Sequence, residues 1–144
     1  MTKTSQIYLV EDHVLMRQAL QSTVEMLPGL VVGGAADSAE EALAALAAPG
    51  GVAVDVALID MSLPDMSGIE LIRKLLTLRP ALRCLILSGH REPAYVEQAL
   101  AAGAWGYVLK GYPGDIAEAI AAVLAGNQYL SRALHPAGSG PRRS

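Results

Sequence analysis

Five polar residues stand directly behind apolar runs: Glu11 and Asp12 after residues 7–10, Asp60 after 54–59, Ser88 after 84–87 and Lys110 after 107–109. Carboxylates brought together repel and raise one another's pKa, so a group of three needs a compensating cation. Mg²⁺ suits the task, because it is a hard ion that takes oxygen ligands, keeps several waters and binds one or two carboxylates together with a phosphoryl oxygen. Lys110 adds a positive charge on a flexible stem that can meet a second phosphoryl oxygen, and the Ser88 hydroxyl can donate to a third. The set is suited to forming an acyl phosphate on one of its acids. Each member also has a plainer reading. Asp12 can cap a following helix, Asp60 can start a turn, and Ser88 and Lys110 can be ordinary polar groups at strand ends. The functional reading rests on their joint placement.

The elements that must hold these residues follow from hydrophobic periodicity. The runs at 7–10, 30–32, 54–59, 84–87 and 107–109 mostly lack in/out alternation, which reads as strands buried on both faces. Between them, residues 14–26, 39–47, 69–78, 94–101 and 116–124 place apolar side chains at helical spacing, as in Ile69, Ile72, Leu75 and Leu76. Ser38-Ala39-Glu40-Glu41 fits a capping box, Pro28-Gly29 and Pro49-Gly50-Gly51 stop helices, and Pro93 and Pro113 suit first helical turns. Five β-then-α units in series predict an α/β fold, a doubly wound five-stranded parallel sheet with five helices. In such a sheet the functional crevice lies outside the carboxyl ends of the strands, where strand order reverses. Every strand except the second delivers a polar group to that edge.

Composition narrows the function classes. The chain has 144 residues, enough for one core, and 52% hydrophobic against 17% charged residues excludes a disordered chain. Its apolar stretches are broken too often by charges and glycines to span a membrane, and residues 1–6 lead into no signal-peptide pattern, so a cytoplasmic location is expected. The single cysteine, Cys84, lies within an apolar run and reads as an inert buried thiol. A net charge of −3 argues against nucleic-acid binding by this domain alone.

Glu11-Asp12-His13, the stretch from Leu58 through Asp60 to Gly68, Leu87-Ser88-Gly89-His90, and Gly106-Tyr107-Val108-Leu109-Lys110 closely resemble the signature blocks of two-component receiver domains. The resemblance runs from about Gln6 to Ala125. It implies the flavodoxin-like strand order 2-1-3-4-5, with Asp60 as phosphoacceptor for a sensor histidine kinase. It further implies that Asp12, Asp60 and the Ser62 carbonyl hold Mg²⁺, with Glu11 nearby or acting through water. Ser88 would contact the phosphoryl group, Lys110 would pair with it, and Tyr107 would be the aromatic switch residue, its ring entering space that Ser88 vacates. Such a chain is no enzyme in the ordinary sense, but catalyses its own phosphotransfer and dephosphorylation, and homodimerises when phosphorylated.

Lys110 is followed by Gly111, as in receivers of the NarL/LuxR class that precede a helix-turn-helix domain. On this reading residues 1–126 form the receiver. Residues 127–144 form a linker or flexible tail toward a DNA-binding output domain absent from this chain, since residues 136–144 are rich in Pro, Gly, Ser and Arg. A stand-alone regulator acting by phosphorelay or protein contacts is the alternative. An aspartyl phosphatase is disfavoured by Ser62, where that chemistry wants a second acid, and a dinucleotide site by the missing glycine spacing after Gly33-Gly34. A receiver that switches without phosphate usually loses an acid or the lysine, and none is lost here. His13 reads as an ordinary exposed imidazole, His90 as an influence on phosphoryl lifetime, Trp105 as a partly exposed aromatic facing a partner, and Arg142-Arg143 is too short for a nucleic-acid patch.

Overall fold

The computed structural model describes residues 4–134, so residues 135–144 of the expected tail lie outside the described residues. The element order is β1 (Ser5–Val10), α1 (Val14–Glu25), β2 (Leu30–Ala36), α2 (Ala39–Ala47), β3 (Val56–Asp60), α3 (Gly68–Leu78), β4 (Arg83–Ser88), α4 (Pro93–Ala101), β5 (Gly106–Leu109), α5 (Pro113–Leu124) and β6 (Tyr129–Leu130), then a 3₁₀ turn at Arg132–Leu134. All strands pair in parallel, in the order β2-β1-β3-β4-β5-β6. The flavodoxin-like order of the first five strands is the expected one.

Strand alternation sorts the core into two layers. Ile7, Leu9, Leu58, Leu85 and Val108 point to one face, where α1 and α5 cover them with Leu20, Val24, Ile120 and Val123. Tyr8, Val10, Ile59, Ile86 and Tyr107 point to the other, against α2, α3 and α4. Helix α3 is the most strongly two-sided of the covering helices, with Leu71, Ile72 and Leu75 fully buried. Each such side chain contributes about 2 kcal/mol of burial.

Two departures from the expected elements have physical causes. β2 runs through Gly33 and Gly34 to Ala36, more than twice as far as the apolar pattern indicates, because glycines leave no side-chain signal. A Cβ on Gly34 would lie 2.7 Å from the Tyr8 ring, so the strand accommodates that ring by having none. A register shift between Ile7 and Tyr8 marks the same place.

The second departure is β6: the sheet has six strands where five were expected. Gly126 takes a φ of 91°, its N–H donates to the Val123 carbonyl, and the Asn127 N–H donates to the Ala122 carbonyl. That pair of bonds is a Schellman stop, which turns the chain back along the sheet edge. Tyr129 and Leu130 then pair with Gly106 and Tyr107. Two residues carry no periodic signal, so the sequence pattern could not reveal this strand.

Candidate functional site

The parallel ladder brings the five singled-out residues to one edge. Asp60 is the last residue of β3 and Ser88 the last of β4, 2% and 1% exposed. Glu11 follows β1, with its N–H still donating to the Ala36 carbonyl, and Lys110 follows β5, with its N–H donating to the Ser88 carbonyl. Asp12 begins the loop into α1. The Lys110 Nζ lies 3.1 Å from Asp60 Oδ1 and 3.7 Å from Glu11 Oε1.

The acids outnumber the cation. Glu11 Oε1, Asp12 Oδ1 and Asp60 Oδ2 are buried and accept no hydrogen bond from the described residues. Burial pushes the Glu11 carboxyl above its ordinary pKa and the Asp60 charge adds to this, opposed by the His13 N–H and by Lys110. Unsatisfied buried carboxylate oxygens are costly unless a cation meets them. Ligand atoms of Glu11, Asp12, His13 and Asp60 lie within 4.8 Å of one another, a set that fits a hard divalent ion. Asp12, Asp60 and Glu11 would hold it directly or through water, supplying charge compensation for anionic oxygens.

The loop after Asp60 is closed tightly. The Ser62 N–H donates to Asp60 Oδ1 at 3.3 Å, and the Gly68 N–H donates to the Met61 carbonyl at 2.7 Å. A Cβ on Gly68 would stand 2.4 Å from the Asp60 carbonyl oxygen, so only glycine lets α3 start this close to the acid.

On the far side, the Ser88 hydroxyl is engaged within its own loop. It accepts from the His90 N–H at 2.9 Å and contacts Met61 Sδ at 3.5 Å. Tyr107 is fully buried, and its hydroxyl donates to the His90 carbonyl at 2.8 Å. Its apolar face fills the layer under α4 while the hydroxyl finds a carbonyl.

Several neighbours were not singled out as site residues. His13, read as an ordinary imidazole, is 70% exposed yet places Nδ1 3.2 Å from Glu11 Oε2 and 3.5 Å from Asp12 Oδ1. Arg17 donates from Nη1 to the Glu11 carbonyl at 2.7 Å, one helical turn into α1. Its signal was only its nearness in sequence to the acidic pair. The His90 ring stacks on Tyr95 at 4.6 Å. Trp105, expected to face a partner, is half-buried beneath the Arg83 guanidinium, 4.7 Å from it.

Comparison with known proteins agrees with this geometry. Residues 7–123 match the family model described as the response regulator receiver domain. The DNA-binding transcriptional activator DevR/DosR of Mycobacterium tuberculosis is 42% identical over 125 residues, covering 86% of this chain and 56% of that protein. The chain thus spans about half the length of such relatives. A LuxR-family two-component response regulator from Aurantimonas sp. SI85-9A1 superposes with a TM-score of 0.84 at 34% identity, covering 92% of this chain and 93% of that one. The isolated receiver domain of RcsB from Salmonella enterica serovar Typhimurium, solved with a phosphomimetic, has the same fold at TM-score 0.84 and 23% identity, covering 92% and 96% of the two chains. This chain belongs to the response-regulator receiver domain family and resembles the receivers of NarL- and LuxR-type regulators.

Proposed function

We propose that Asp60 accepts a phosphoryl group from the phosphohistidine of a sensor kinase, or slowly from a small phosphodonor. The observation that supports this most directly is the pairing at Asp60: Oδ1 lies 3.1 Å from the Lys110 ammonium while Oδ2 is buried without a donor among the described residues. Lys110 tethers the carboxylate and leaves the second oxygen as the nucleophile for in-line attack on phosphorus. In that step the new O–P bond forms as the donor's N–P or O–P bond breaks, and the leaving group takes a proton from solvent.

Three carboxylates against one ammonium leave two negative charges in excess, which a dication offsets. When bound, Mg²⁺ would lower the electrostatic cost of bringing phosphoryl oxygens to Asp60. Asp12, Asp60 and the Ser62 carbonyl are its proposed ligands, with Glu11 close by. Lys110 then pairs with a phosphoryl oxygen, and Ser88 exchanges its His90 contact for another. Release of that loop would shift His90, and through its carbonyl the Tyr107 hydroxyl, carrying the change to the surface around α4 and β5. By this reading the domain catalyses its own modification.

The chain's similarity to a DNA-binding activator supports a transcriptional role, with DNA reached through a C-terminal helix-turn-helix domain and with dimerisation on phosphorylation, in the cytoplasm. Among the described residues no helix is long and apolar enough to cross a membrane. Residues 127–144 would connect to that output, although Tyr129, Leu130 and Ser131 are bonded along the β5 edge.

Mass spectrometry after treatment with acetyl phosphate or phosphoramidate and Mg²⁺ tests the proposal. One phosphoryl group should appear on the wild-type chain and none on Asp60→Asn. Equal labelling of the Asn variant would overturn the assignment.

A further inference from the structure

The β3–α3 loop is tied to a helix that takes no part in the site. Both carboxylate oxygens of Asp65 accept backbone N–H groups at the start of α2: Oδ1 from Ala39 at 3.0 Å and Oδ2 from Glu40 at 2.9 Å. Two further donors there are met locally. Ser38 Oγ accepts from the Glu41 N–H at 3.1 Å, and Glu41 Oε1 accepts from the Asp37 N–H at 2.9 Å. Helix α2 therefore fills its own N3 position and leaves the first two N–H groups to a residue 25 and 26 positions further along. A helix start left with free donors favours an anion there. These two bonds hold the Asp65 carboxyl below its ordinary range.

The other end of the same loop is fixed at the acid. Ser62 and Ser67 form an antiparallel bridge, the Gly68 N–H donates to the Met61 carbonyl, and the Ser62 N–H donates to Asp60 Oδ1. Residues 61–68 are thus a short hairpin, closed at its base beside Asp60 and anchored at its tip by Asp65. Ser62, Pro64 and Asp65 are exposed, while Leu63 and Met66 beside them pack against the core under the loop. The Asp65 clamp adds to that apolar anchor a polar one that ties the exposed side of the tip to α2.

We infer that Asp65 is a positioning residue for the cation site: by clamping the loop tip to α2 it holds the Ser62 backbone where its carbonyl can complete the ligand set. This rests on the proposed reading of the site as a Mg²⁺ centre. A residue that orients a ligand in this way is worth about 10-fold or more in metal affinity when removed.

The test is Mg²⁺ titration of the full chain followed by backbone amide shifts, with no phosphodonor present. Asp65→Ala should raise the Mg²⁺ dissociation constant about 10-fold, with the Met61 to Gly68 amides broadened or displaced before any metal is added. Asp65→Asn keeps an acceptor oxygen for one of the two N–H groups and should fall between, which also covers failure of the Ala variant to fold. Ser38→Ala removes a cap from the same helix without touching the loop, and should lower the melting temperature while leaving the Mg²⁺ affinity within about 2-fold.

If Ser38→Ala weakens Mg²⁺ as much as Asp65→Ala does, the effect is general destabilisation and the inference fails. If wild type and both Asp65 variants bind Mg²⁺ equally, the inference fails while the site reading stands. Absence of saturable Mg²⁺ binding to the wild type would overturn both.

Discussion

The two ends of the sheet carry similar charges in opposite conditions. At the amino ends of the strands a cavity of about 510 Å³ lies among Arg79, Arg83 and Asp55, larger than the cavity of about 300 Å³ lined by Met61 and Ser62 beside Asp60. Its charged groups are engaged with the backbone. Arg79 donates to the carbonyls of Leu46 and Val52, Arg83 donates to that of Val123 at 2.6 Å, and Asp55 accepts from the Gln6 N–H at 2.7 Å. At the carboxyl ends, three buried carboxylate oxygens have no donor among the described residues, and one ammonium faces two acids. Charges that satisfy helix ends and loops stabilise a fold; charges left partly unmet in the interior are held for a ligand. Cavity size alone would direct attention away from the unmet charges.

The contrast is broken most sharply by exchanging acids at the two ends. Asp60→Asn should abolish phosphoryl labelling altogether. Asp55→Asn should leave labelling intact and cost about 1–2 kcal/mol of stability, because a charged acceptor of a backbone N–H is weakened. Loss of labelling in the Asp55 variant would show that the amino-end cavity takes part in the chemistry.

A smaller effect separates the cations. Lys110→Ala leaves Glu11 and Asp60 as buried, unpaired neighbours, at a cost of about 3 kcal/mol in urea unfolding without metal. Saturating Mg²⁺ should recover a good part of it. Arg79→Ala should cost about 2 kcal/mol, from carbonyls of Leu46 and Val52 left without their donor, and Mg²⁺ should change that cost no more than it changes the wild type. Equal response of the two variants to Mg²⁺ would remove the distinction between the ends. Lys110→Ala should still accept phosphate but blunt the response at Tyr107.

The same distinction explains what could be read from the sequence. Glu11, Asp12, Asp60, Ser88 and Lys110 were legible because each directly follows an apolar run, and parallel strands align such positions at one edge. The strand order of the first five strands was carried by the family resemblance. Asp65 was not legible as a clamp, since its partners Ala39 and Glu40 are brought to it only by the packing of α2 beside α3. Nor was β6, whose two residues and glycine stop read equally well as a connector, or the extension of β2 through two glycines. Ser131, buried with its hydroxyl accepting from the Leu109 N–H at 2.9 Å, belongs to the same class: a serine in an apparent linker gives no sign that it completes a strand edge. Tyr107 was found by resemblance, but its buried position depends on a carbonyl two residues beyond Ser88.

The smallest effect concerns pH, and it distinguishes Glu11 from Asp65. Burial raises the Glu11 pKa above its ordinary 4.5, so the folded chain binds that proton more tightly than the unfolded chain. The stability this contributes is full below the ordinary value and is lost as pH rises through the folded one. Asp65 has the opposite sign, because its backbone bonds lower its pKa: its contribution is present above the ordinary Asp value and fades as pH falls through the lowered one. Without metal, Glu11→Gln should therefore melt higher than the wild type at neutral pH, with the gain shrinking toward acid. Mg²⁺ should diminish the gain, since the dication compensates the very charge that the substitution removes. Calorimetric melts from about pH 4 to about pH 8, with and without Mg²⁺, decide the matter. Parallel melting curves for the two proteins across that range without metal would mean that the Glu11 carboxylate is already compensated by Lys110 and His13, and that the carboxyl end of the sheet is not waiting for a cation.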